Sequence, residues 1–86
     1  MMTLMDMFKP KEKDKEIYEF LCKDECDEIV FAWFVYDAYY GFNCFRYDRP
    51  QDRKTEPEFM QWFKNKSEAI EYCVDQARAE KMAKGY

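Results

Sequence analysis

The sequence predicts an α+β domain: a three-stranded antiparallel meander, extendable to four strands, packed by a C-terminal α-helix and preceded by an N-terminal helix. Three observations carry that expectation. Residues 28–36 are β-branched and aromatic almost throughout, the composition of a strand. Two shorter apolar runs, 42–47 and 59–63, follow with turn-forming or charged residues between them. Finally, Ile70, Cys73, Val74 and Ala77 recur at helical spacing in a segment that stops at Gly85.

Each element has its own reason. Residues 1–16 pass from a Met-rich opening into an alternating run of Lys and carboxylate with nothing to bury. We therefore read 1–14 as a flexible or solvated segment and 15–86 as one α+β domain. Residues 15–26 are good helix formers with Ile17, Phe20 and Leu21 on one helical face, which predicts a helix. An extended reading of 17–23, pairing with the next segment, would add a fourth strand. Residues 37–41 make a short loop in which Gly41 suits a left-handed backbone. Residues 48–58 form a charged loop with two prolines. The helix spans 67–84, with Asn65 or Ser67 as its cap, and its last two turns run into solvent because the apolar stripe fades after Ala77.

Composition narrows the function classes. The chain has 86 residues, 48% hydrophobic, 37% charged and 20% aromatic. So much bulky apolar surface excludes a disordered polypeptide, and so short a chain excludes a multidomain protein. No histidine is present, which excludes a histidine base or a His-ligated metal. The net charge is −4, and the deficit sits in residues 1–28, which carry five lysines against nine carboxylates. Such a chain does not attract nucleic acid through a general field. The longest apolar run, 29–36, is far too short to span a membrane, and no secretory pattern opens the chain. A cytoplasmic protein with reduced thiols and no cofactor is expected.

Candidate chemistry is sparse. Cys22, Cys26, Cys44 and Cys73 are weak zinc candidates, because one loose pair and two isolated cysteines are not a ribbon signature. No metal site is expected. Asp24, Glu25, Asp27 and Glu28 are adjacent acids in a turn, the wrong setting for paired-carboxylate catalysis. No nucleophile elbow or glycine-rich loop occurs, so the chain is not expected to be an enzyme. Residues 40–47 share Gly41, Phe42 and Tyr47 with the RNP1 pattern of RNA-recognition motifs. Tyr40, Asn43 and Cys44 replace its basic, small and stacking residues, and that reading is not adopted.

The strands pose the informative problem. In the first strand Ile29, Phe31, Trp33 and Val35 alternate with Val30, Ala32, Phe34 and Tyr36, so both faces need cover. Two helices would have to split, one to each face. Otherwise one face meets a partner. Trp33, Tyr36, Tyr39, Tyr40, Tyr47 and Trp62 are the candidate anchors, with the restriction that Trp33 and Tyr36 point to opposite faces. Asp24, Glu25, Asp27 and Glu28 would form an acidic rim, and Arg49, Arg53 and Lys54 a flanking loop. The expected function is a small non-catalytic protein-binding module, an inhibitor or adaptor of the kind phages and mobile elements encode. The alternatives are a homodimer that buries the second face, or a single-strand nucleic-acid binder using Arg46, Arg49, Arg53 and Lys54.

Overall fold

The structure is a computed structural model in which residues 14–50 and 56–86 are described. Four strands, β1 (Lys15–Lys23), β2 (Ile29–Asp37), β3 (Phe42–Asp48) and β4 (Glu58–Phe63), precede one helix, α1 (Lys66–Lys84). The strands pair antiparallel in chain order β1-β2-β3-β4, a four-stranded meander. Residues 1–13 of the expected solvated segment 1–14 lie outside the described residues, as do Arg53 and Lys54.

The expected N-terminal helix is absent; its residues form β1. Tyr18, Phe20 and Cys22 alternate onto one face of the sheet, opposite Val35, Trp33 and Phe31 of β2. Ile17 sits at a register shift between Glu16 and Tyr18, and a second shift follows Cys22. Pairing along nine residues outweighs a helix propensity worth only tenths of a kcal/mol per residue. The extended alternative is the correct one. β1 carries Lys15, Glu16, Glu19 and Lys23, charges that suit a sheet edge.

Asx-type turns close both hairpins at the β2 ends. Asp24 Oδ1 accepts from the backbone N–H groups of Cys26 (2.8 Å) and Glu28 (3.0 Å). Asp37 Oδ1 accepts from Tyr39 N–H at 3.1 Å. Gly41 does not take the left-handed backbone expected of it. That conformation falls on Tyr39 (φ 71°), and among the described glycines only Gly85 has positive φ. Gly41 is required for a different reason: a Cβ there would overlap the indole of Trp62.

α1 covers the face carrying Cys22, Phe31, Trp33, Val35 and Cys44. Its contact stripe is Ala69, Cys73 and Ala77, each fully buried, with Ile70 and Tyr72 half-buried beside them. Small residues four apart bring the helix axis close to the bulky sheet side chains. Of the two expected caps, Asn65 precedes the helix, which starts at Lys66, but the Asn65 side chain makes no capping hydrogen bond. Its end is firmer. Gly85 adopts φ 78°, its N–H donates to Met82 O and Tyr86 N–H donates to Lys81 O, a Schellman closure.

Candidate aromatic interaction surface

Strand register assigns every remaining side chain to a face. Opposite α1, β2 presents Ala32, Phe34 and Tyr36, and β3 presents Tyr47, Phe45 and Asn43 directly across from them. Phe59 and Trp62 of β4 pair with Phe45 and Asn43 and extend the same face. Leu21, Glu19 and Glu16 of β1 border it on the other side, against Ala32, Phe34 and Tyr36. No described helix or strand lies over this layer.

The aromatics form a connected ring array. Phe34 meets Tyr47 edge-on at 5.0 Å, Tyr36 meets Phe45 at 5.6 Å, and Phe45 meets Phe59 at 5.7 Å. These near-perpendicular geometries are the favoured ones for aromatic pairs. Burial, and then a hydrogen bond with Tyr47, push the Tyr36 phenol well above its ordinary value. Glu16 is raised too, first by burial and then by the neighbouring charge of Glu19. The layer therefore has an acidic border on β1.

Exposure concentrates at one end of this layer. Tyr39 and Tyr40 are 88% and 84% exposed, their rings packed edge-to-face at 4.9 Å. Trp62, 45% exposed, seats its indole on the adjacent Gly41. The Tyr pair sits on a tight turn in which Tyr40 N–H donates to Ala38 O at 2.7 Å and Ala38 N–H donates to Gly41 O at 2.9 Å. A three-residue turn centred on a residue at φ 71° is a strained form, and Tyr39 is neither glycine nor one of the short polar residues, Asn and Asp, that usually take it.

The candidates from the sequence divide accordingly. Tyr36, Tyr47 and Trp62 share the aromatic face, with Tyr39 and Tyr40 at its end. Trp33 lies on the other face, 3% exposed, with its indole N–H donated to Glu80 at 2.9 Å. It is a core residue rather than an anchor. Asp24, Glu25, Asp27 and Glu28 lie at the opposite end of β2 from the Tyr pair. Nine residues at ~3.3 Å each place ~25–30 Å between the two ends. They do not rim the exposed tyrosines; Glu16 and Glu19, read from the sequence as helix, are the acids that border the aromatic face. Arg49 is held at the acidic end, 4.0 Å from Glu28, with φ 48°.

Sequence reasoning missed the ionic knot on the helix side. Glu80 accepts from Arg46 Nε at 2.8 Å, from Arg46 Nη2, from Lys84 Nζ at 2.7 Å and from Trp33. Its side chain is only 14% exposed. Burial pushes this carboxyl up, but the hydrogen bonds from Arg46, Lys84 and Trp33 more than reverse that and hold it at about 2. The last two turns of the helix are exposed, as expected, at every residue but Glu80, which ties them to β2 and β3. Arg46, offered from the sequence as a nucleic-acid contact, is committed here and also lies over the Phe31 ring at 5.8 Å.

The cysteines scatter. Cys22, Cys44 and Cys73 are buried in the helix-side core, while Cys26 is exposed in the β1–β2 turn. Burial pushes the Cys44 and Cys73 thiols up to about 12. Among the described residues no group of three or more His, Cys, Asp or Glu side chains is placed to hold a metal ion. Nor is any described helix long and apolar enough to cross a membrane. Comparison of the chain with protein-family models, curated proteins and solved structures finds no match.

Proposed function

We propose that the chain is a small non-catalytic binding module that occupies the surface of a partner protein, as an inhibitor or adaptor would, with Tyr39, Tyr40 and Trp62 as its anchors. One observation carries the reading: two tyrosines more than four-fifths exposed are held on a strained turn beside a half-exposed tryptophan. Backbone strain of about 1–2 kcal/mol at a non-glycine residue opposes folding. Large rings displayed in water on such a turn add nothing to the core. Tyr and Trp are the residue types that anchor protein interfaces, because an apolar ring with a polar tip tolerates both the free and the bound state. Tyr36, Tyr47 and the acidic border at Glu16 and Glu19 extend the surface and favour a partner with a basic rim.

Affinity capture from the source cell's lysate tests this, comparing the wild type with the Tyr39→Ala/Tyr40→Ala double variant. A protein retained by the wild type, lost by the double variant and indifferent to nuclease treatment is the expected result. Retention unchanged in the double variant would refute it. Capture abolished by nuclease or by moderate salt would instead indicate phosphate-dominated binding.

A further inference from the structure

The two edges of the sheet are built differently. β1 carries four charged residues and two register shifts, the devices that discourage pairing with another strand. β4 is last in the strand order, so among the described residues no strand lies beyond it. It has one register shift, and its central residues Phe59, Met60, Gln61, Trp62 and Phe63 include no charge. Charges appear only at its ends: Glu56 and the first strand residue Glu58 at one, Lys64 and Lys66 beyond the other. Glu58 and Lys64 are exposed, and Glu58 lies across from Arg46 of β3, whose guanidinium is already held by Glu80.

We propose that β4 is the seam of a homodimer, pairing antiparallel with β4 of a second copy to make a continuous eight-stranded sheet. The strand and its flanks are self-complementary. A two-fold axis through the sheet reverses one strand against the other, which sets the acidic flank of each copy against the basic flank of its twin, twice per dimer. Any near-central register does this; a parallel arrangement would instead juxtapose like charges. Centring the axis between Met60 and Gln61 also sets Phe59 opposite the second copy's Trp62. Both residues lie on the aromatic face, because the register shift at Met60 separates them from simple alternation. The two aromatic faces then form one surface.

Sedimentation of the full chain over a concentration series tests the proposal, with far-ultraviolet circular dichroism to show that each variant is folded. The wild type is expected to dimerise. Gln61→Lys, at an exposed position in the uncharged centre of the strand, should abolish the dimer. Glu58→Lys or Lys64→Glu alone should each raise the dissociation constant roughly tenfold by turning complementary flanks into repelling ones. Combined, they should restore it to within about threefold, since the flanks are again opposite in sign. A monomer at every concentration up to ~1 mM would overturn the proposal. So would a dimer indifferent to Gln61→Lys, or a double charge reversal that fails to rescue.

Discussion

Trp33 donates its indole N–H to Glu80 across 47 residues of sequence at 2.9 Å, and the same carboxylate takes Arg46 and Lys84. The contact joins the centre of β2 to the last turns of α1, where the apolar stripe of the helix has ended. Replacing Glu80 with Gln would leave a partly buried guanidinium without its counter-charge. We expect a loss of about 2–3 kcal/mol in urea unfolding. Lys84→Ala, which removes only the exposed partner, should cost less than about 0.5 kcal/mol.

The same carboxylate sets an acid limit. Its folded value, about 2, lies below the ordinary 4.5, so the stabilisation is complete above about pH 4.5 and is lost as pH falls towards 2. Unfolding midpoints measured from pH 6 down to pH 2 should fall across that window in the wild type. Glu80→Gln should show a visibly shallower decline. Equal slopes in the two proteins would contradict the assignment.

Tyr39 should trade stability against binding. Glycine at φ 71° relieves the strain, so Tyr39→Gly is expected to raise stability by about 0.5–1 kcal/mol. It should also weaken partner binding, since it removes a proposed anchor. A variant less stable than the wild type would show that the turn is not strained.

Gly41 and Trp62 should be energetically coupled. Gly41→Ala must displace the indole, at a cost of about 1–3 kcal/mol. In a Trp62→Ala background the same substitution should be close to neutral, which a double-mutant cycle measures directly. Additive losses would mean that the glycine is needed for its backbone alone.

Thiol accessibility should follow the core. Cys26 alone is expected to react with a thiol reagent in the folded chain, while Cys22, Cys44 and Cys73 react only on unfolding. Three or more fast-reacting thiols under native conditions would place the helix elsewhere.

What the sequence revealed depended on how local each signal was. β2, β3, β4 and α1 were legible because their apolar residues repeat over several turns or alternations, and their bounds shift by a residue or so. β1 was obscured by Ile17, an extra residue in the ladder that disguises the Tyr18, Phe20, Cys22 alternation as helical spacing. The requirement for cover on both sheet faces was visible in β2 alone, and α1 supplies one of them. The sequence could not say which tryptophan was buried. That is decided by Glu80 and Arg46, polar residues 34 apart with no periodicity linking them. Nor could it show the strain at Tyr39, since glycine two residues on, at position 41, is the residue that usually takes a left-handed backbone.

Partner binding is proposed at the aromatic end of the sheet. Amide hydrogen exchange of the chain, free and in complex with the captured partner, tests it most directly. The account predicts new protection at residues 38–42 and 62–64, with the 24–28 turn unchanged. Protection confined to the 24–28 turn and its neighbour Arg49, leaving Tyr39 and Tyr40 exchanging as in the free chain, would contradict it.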